Sequence, residues 1–288
     1  MAIDFEPLHP LFVAECQGVD LAQPLSADDL QSVEAAMAKY AVLVFRGQAL
    51  SDDEHANFTR QFGSIDRGLN IAYDKKSRLA NEAVIDLANI DAEGNVFPAE
   101  HKRNVSLLAN QLWHSDSSFK SPPAKYSVLC ALDIPEEGGE TEFADQRAAY
   151  DALSDSMKTE LDGLVAEHYA FHSRDMLGGS EHSDSGRSRL PPVHWPLVHT
   201  IPESGRKTLF CGVHTREIGG WSRAAARVYL LDLLEHATQR EFVYRHHWRV
   251  NDVVMWDNRC TLHRGRRYDL GLKRELRRCT TEAQLPVA

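Results

Sequence analysis

The chain has 288 residues, of which 43% are hydrophobic and 26% charged, and its formal net charge is −10. Such a length and composition describe a globular protein with a large core and do not force a division into two units, so residues 1–288 are expected to form a single domain. The acid excess argues against nucleic acid or an anionic membrane surface as the main partner.

The opening MAIDFEPLHP carries acids and no apolar stretch, so it does not read as a secretion signal. No apolar run approaches the length needed to span a membrane. Ser26 starts the pattern S-A-D-D ahead of Leu30, Val33 and Met37, which predicts a capped helix. AVLVF at 41–45 reads as a buried strand. Ser51 with Glu54 predicts a second helix with a capping box, running to Gly63. YSVLCALDI from Tyr126 predicts a strand closed by Pro135 and the turn at Gly138 and Gly139. Leu161, Leu164 and Val165 then fall at helical spacing. Residues 174–192 (RDMLGGSEHSDSGRSRLPP) show little periodicity and predict a long loop, of a length that is usually functional or mobile. A further helix is expected over about 222–236, followed by strands in EFVYRHHW, VVMW and residues 273–281. Regular βαβ alternation is missing. That points to a mainly β fold with inserted α-helices, of the barrel or jelly-roll kind. The five cysteines are odd in number and form no C-x-x-C pair, which fits reduced thiols in a cytoplasm.

The tripeptide His-Ser-Asp occurs twice, at 114–116 and 182–184. The second copy lies in the polar loop with nothing apolar to fix its rotamers, and it reads as solvated chain. The first is flanked by Leu112, Trp113 and Phe119. In an extended segment, residues two apart share a side, so His114 and Asp116 would converge. A second imidazole would complete a 2-His-1-carboxylate set, which leaves positions open on Fe(II) for a cosubstrate and dioxygen. A chain with 14 histidines produces such spacings by chance, so the motif is weak by itself. His263 is the partner that stands out, because it follows VVMW and opens the basic run RCTLHRGRRYDLGLKRELRR. On a strand over 273–281, Arg274, Leu276 and Arg278 share one face, while Glu275 and Arg277 take the other. Two guanidiniums facing a barrel interior need carboxylate partners, which a bound ligand can bring.

WHSDSSF at 113–119, GGETEF at 138–143, WDNRCTLHRGRRYD at 256–269 and RELRRCTT at 274–281 resemble the Fe(II)/2-oxoglutarate dioxygenases of the taurine dioxygenase type. Within that group the similarity is strongest to the 2,4-dichlorophenoxyacetate dioxygenases, and it extends over nearly the whole chain. The resemblance implies a double-stranded β-helix (jelly roll, cupin-like) core. It also implies Fe(II) held by His114, Asp116 and His263, and 2-oxoglutarate held by Thr141 and Arg274. Arg278 is matched to the arginine that meets the substrate's anionic group, Ile71 and His214 are candidates for lining its ring pocket, and the 174–192 loop is expected to cover that pocket as an active-site lid. The implied reaction consumes dioxygen and hydroxylates the side-chain methylene of an aryloxyacetate, releasing a phenol and glyoxylate beside succinate and carbon dioxide. A homo-oligomer, dimer or larger, is implied as well. Two other readings stay open. One is the same class of enzyme acting on an alkylsulfonate or another small carboxylate, and the other is a non-catalytic cupin-like binder of metal or ligand.

Overall fold

The computed structural model describes residues 3–66, 77–178 and 184–284. Its largest sheet has seven strands, in the spatial order β1 (Asp4–Pro7), β2 (Ala14–Gln17), β3 (Val42–Phe45), β13 (Val253–Asp257), β5 (Ala124–Asp133), β15 (Glu275–Glu282) and β4 (Ile85–Asp86). A smaller sheet orders β12 (Val243–His246), β6 (Thr141–Asp145) and β14 (Thr261–Gly265). The β13–β5, β15–β5, β12–β6 and β14–β6 pairs are all antiparallel.

The apolar runs AVLVF and VVMW follow from burial on both faces of the large sheet. Val42, Val44, Leu129, Ala131, Val254, Trp256 and Leu276 share a cluster with Phe143 of β6, which is the core between the two sheets. The alternate positions Leu43, Phe45, Val128, Cys130, Val253 and Met255 pack outward, with Val33 and Met37 of α1 (Ala27–Tyr40) and Phe58 of α2 (Asp52–Arg60). Strands covered on both sides read as continuous hydrophobic runs rather than alternating ones. The smaller sheet is covered in turn. Ala144 and Leu262 pack with Leu230 and Leu233 of the long helix Arg223–Ala237. This is the jelly-roll arrangement expected from the sequence, mainly β with inserted helices.

The predicted caps are present. Ser26 accepts from the Asp29 amide, and Ser51 and Glu54 form a reciprocal capping box. α2 stops at Arg60, three residues before Gly63. Two expectations are corrected. Leu164 and Val165 do not continue a helix: the helix Asp155–Leu161 ends, and Val165–His168 is a strand paired with Thr215–Ile218 and Val193–Pro196. Residues 174–192 are not one long loop. The helix His172–Met176 runs into the segment and a second spans Asp184–Arg189. Helices of five and six residues are too short to display a 3.6-residue period. The Arg187–Asp175 ion pair, 2.7 Å, ties one to the other, and Phe171 and Leu190 are buried together with Phe119 and Tyr169. Among the described residues, no helix is long and apolar enough to cross a membrane.

A buried histidine on α2 makes the fold acid-sensitive. His55 donates from Nε2 to the Val128 carbonyl at 3.0 Å. Burial pushes its pKa down to about 4, against that hydrogen bond and the nearby Asp52, which raise it, while Arg277 lowers it further. The unfolded chain takes up this proton near pH 6.5 and the folded one only near 4. Stability from His55 is therefore complete above about 6.5 and is lost as pH falls toward 4. A depression of this size corresponds to a loss on the order of 3 kcal/mol. Urea unfolding midpoints measured across this range fall in the parent. In His55→Gln, which keeps a donor but does not titrate, they fall less steeply. Parallel curves for the two proteins exclude the assignment.

Candidate metal and 2-oxo acid site

His114 and His263 are joined before any side chain is considered. They form an isolated antiparallel bridge, with His114 N–H to His263 O at 3.0 Å and His263 N–H to His114 O at 2.8 Å. Their rings lie 4.1 Å apart between centroids. The segment is not extended through Asp116 as expected from sequence. A turn begins there, with Ser117 at φ +47° and Lys120 N–H donating to Ser117 O at 3.0 Å. Asp116 still reaches both imidazoles: its Oδ1 is 4.0 Å from His114 Nε2, and its Oδ2 is 3.8 Å from His263 Nε2. One donor atom from each of the three residues falls within 4.8 Å of the others, and all three residues are buried. Ser115 turns the other way and donates to the Thr261 carbonyl at 2.9 Å.

The donors are oriented by hydrogen bonds. His114 Nδ1–H donates to Leu112 O at 2.7 Å, which leaves Nε2 as the free lone pair. Ser127 Oγ–H donates to Asp116 Oδ2 at 2.7 Å, and Asn258 Nδ2–H donates to Ser127 Oγ at 2.9 Å. Asn258 Oδ1 accepts from the Asp116 amide at 3.0 Å and from Trp256 Nε1 at 2.9 Å. Arg278 Nη1 donates to Asp116 Oδ1. Burial works against the Asp116 carboxylate, but Arg278, His263, His114 and Ser127 outweigh it and hold its pKa at about 2. Burial depresses the pKa of His114, against Asp116 and the Leu112 bond. His263 is pushed well below the ordinary imidazole value by burial and by His114. Neutral imidazoles beside an ionised carboxylate are the protonation states that metal ligation requires.

The same cavity contains a second feature. Thr141, Tyr268, Arg274, Leu276 and Arg278 line it with His114 and His263. Arg274 precedes β15 and is partly exposed, with its pKa pushed down to about 10 by desolvation against Tyr268. Its Nη2 donates to Gly139 O at 2.9 Å, while Nε is buried without a hydrogen-bond partner among the described residues. Gly139 permits this approach: at φ +71°, a Cβ there would come within 3.0 Å of Arg274 Nε. The tyrosine ring of Tyr268 lies 5.3 Å from the guanidinium carbon. No carboxylate pairs with Arg274 among the described residues, whereas on the opposite strand face Glu275 bonds Arg78 at 2.7 Å and Arg277 at 3.0 Å. A guanidinium with spare donors fits a dicarboxylate, and two imidazoles with a carboxylate fit Fe(II).

Arg278 reaches the site but is already engaged by Asp116, a pairing that strand alternation does not reveal. His214 is no surface histidine. It is buried, edge-on to His114 at 6.0 Å and to Phe119 at 4.8 Å between ring centroids. Ile71 and the second His-Ser-Asp copy through His182 lie outside the described residues. Sequence reasoning missed Ser127, Trp248 and Gly212. A Cβ at Gly212 would sit 2.9 Å from Leu262 Cδ2 and 3.4 Å from His114 Cα, so this glycine lets the 210–213 segment lie against the metal-site backbone. Asn258, in contrast, stood in the WDN motif and could have been flagged from it.

A buried His-Asp-His set in a jelly roll, with an anion cradle beside it, places the molecule among 2-His-1-carboxylate proteins. The chain belongs to the taurine catabolism dioxygenase TauD, TfdA family, whose sequence model matches residues 4–280. It is 50% identical over 281 residues to an alpha-ketoglutarate-dependent 2,4-dichlorophenoxyacetate dioxygenase of Cupriavidus pinatubonensis (strain JMP 134 / LMG 1197), with 98% of each chain covered. It is 34% identical to an (S)-phenoxypropionate/alpha-ketoglutarate-dioxygenase of Delftia acidovorans, covering 94% of this chain and 92% of that one. The crystal structure of AAD-2 in complex with Mn(II) and N-oxalylglycine superposes with a TM-score of 0.92 at 41% identity, covering 100% and 99% of the two chains.

Proposed function

We propose that this protein is an Fe(II)- and 2-oxoglutarate-dependent dioxygenase of aryloxyacetates such as 2,4-dichlorophenoxyacetate, hydroxylating the side-chain methylene to give a phenol, glyoxylate, succinate and carbon dioxide. The observation that carries the reading is one cavity lined both by two members of a buried His-Asp-His cluster and by a guanidinium whose buried Nε is left unpaired among the described residues. Bound iron, 2-oxoglutarate and dioxygen supply the C–H oxidising chemistry that no side chain provides. The chain's residues hold, orient and exclude water. His114, Asp116 and His263 take the iron, with Ser127 and Asn258 fixing the carboxylate. Arg274 and Thr141 hold the far carboxylate of 2-oxoglutarate. Arg278, beside Asp116, holds the substrate carboxylate and so brings the adjacent methylene to the metal. His214 lines the ring pocket, and the described parts of residues 174–192 cover it. The partner is a small molecule rather than nucleic acid or membrane, as the charge of −10 supports. The protein is a cytoplasmic homo-oligomer, dimer or larger; its five free and buried cysteines support the reducing compartment.

The test is a panel of aryloxyacetates, aryloxypropionates and alkylsulfonates scored for phenol release and for succinate. Phenol from phenoxyacetates, with little succinate driven by taurine, is the expected outcome. Taurine-driven succinate without phenol would move the substrate to alkylsulfonates, and no succinate from any substrate would favour a non-catalytic binder. Arg278→Gln raises the KM for the aryloxyacetate more than that for 2-oxoglutarate and yields succinate in excess of phenol, because the methylene is held loosely. A rise confined to 2-oxoglutarate, with phenol and succinate still matched, reassigns Arg278 to the cosubstrate.

A further inference from the structure

Trp248 lies two residues beyond the end of β12, whose last residue, His246, sits opposite Thr141 in the β12–β6 register. Its Nε1–H donates to Thr141 Oγ1 at 3.0 Å. An indole nitrogen can only donate, whereas a threonine hydroxyl carries one proton and two acceptor lone pairs. Accepting from Trp248 leaves the Thr141 proton to be given elsewhere. Among the described residues no protein acceptor receives it, and Thr141 lines the same cavity as Arg274. The indole is itself held. It packs edge-on against His246 at 4.5 Å and 83°, and His246 Nε2 lies 3.2 Å from Asp252 Oδ2. Asp252 Oδ2 also accepts from the Arg249 amide at 2.8 Å and from Arg46.

We infer that Trp248 is a positioning residue: by occupying an acceptor site of the Thr141 hydroxyl, it turns that hydroxyl into a dedicated donor toward the far carboxylate of 2-oxoglutarate. This rests on the reading of Thr141 and Arg274 as the cosubstrate cradle. Without the indole N–H, the hydroxyl rotates among several orientations and donates to the carboxylate only part of the time. The bare packing role of Trp248, which also contacts the core between the sheets, is kept by phenylalanine.

The experiment measures 2-oxoglutarate binding by calorimetry with Mn(II) in place of Fe(II), together with steady-state constants for the Fe(II) enzyme. Trp248→Phe weakens 2-oxoglutarate by about 3- to 10-fold, the range expected for one neutral hydrogen bond, and leaves the KM for the aryloxyacetate in place. In a Thr141→Val background the same substitution has no further effect, whereas in Thr141→Ser, which keeps the hydroxyl, the effect returns. Unchanged binding in Trp248→Phe, or an equal loss with and without the Thr141 hydroxyl, overturns the positioning role. Arg274→Ala separates the two levels. If it weakens binding while Trp248→Phe does not, the inference about Trp248 fails alone. If neither weakens binding, the cradle reading fails and the inference goes with it.

Discussion

Asp116→Asn abolishes iron-dependent phenol release, and His263→Ala does the same, while His182→Ala and Asp184→Ala retain it. The effect at the first copy follows from what surrounds Asp116. Asp116 is buried, its carboxylate accepts from Ser127 and Arg278, its amide donates to Asn258 Oδ1, and it stands within 4.0 Å of two imidazole nitrogens. The asparagine preserves shape and can still accept from Ser127, so its effect reports the lost negative charge and not a collapsed turn. A divalent ion held by two neutral imidazoles and an amide has lost its one anionic ligand. The Arg278 guanidinium nearby then repels it without compensation. Ser127→Ala, which touches only the support of the carboxylate, lowers metal affinity by roughly 10- to 100-fold. Titration of Fe(II) or Co(II) into each variant, followed by turnover at saturating metal, measures both steps. Iron binding that survives Asp116→Asn and disappears in His182→Ala would reverse the assignment.

Arg274→Ala costs about 2–4 kcal/mol of 2-oxoglutarate binding, the range for a charge-assisted, bidentate contact to a desolvated carboxylate. Arg274→Lys recovers part of this, since it returns the charge without the planar fork. The size of the effect comes from burial. The Nε of the guanidinium is buried, its charged form is already disfavoured enough to bring the pKa to about 10, and among the described residues Nη2 alone is given a protein acceptor. Ligand carboxylate oxygens meeting the remaining donors relieve that cost, so the gain on binding exceeds that of an exposed arginine. Calorimetry with Mn(II) and 2-oxoglutarate reads the loss directly. Binding unchanged in Arg274→Ala removes this residue from the cosubstrate site.

Most of the β framework and its helix caps were legible because each rests on short-range physics. Ser26 and Ser51 cap because a side-chain oxygen meets an amide three residues on. The runs AVLVF and VVMW announce strands buried on both faces. His263 stands out because it follows VVMW and opens the basic run, and Arg274 because it and Arg278, on one face of the expected strand, need carboxylate partners. Where the reading went astray, the pattern was too short or the determinant lay elsewhere in the chain. Leu161, Leu164 and Val165 have helical spacing, but Val165 pairs into a sheet with Pro196 and its neighbours. The helices flanking residues 179–183 are too short to show a period.

By itself the sequence determined most of the strands, the capped helices, and His114 and Asp116 as a pair that could converge, with His263 as the imidazole that stands out. These are properties of residue type and local spacing. Only the tertiary structure decided that His114 and His263, far apart in the chain, exchange backbone hydrogen bonds and thereby put their rings 4.1 Å from each other. It alone decided that Arg278 engages Asp116, that Arg274 is left with spare donors, and that Trp248 and Ser127 orient the groups they touch. Sequence patterns report which side of a strand a residue takes. Which residue of another strand meets it there is set by sheet register and by packing between the two layers.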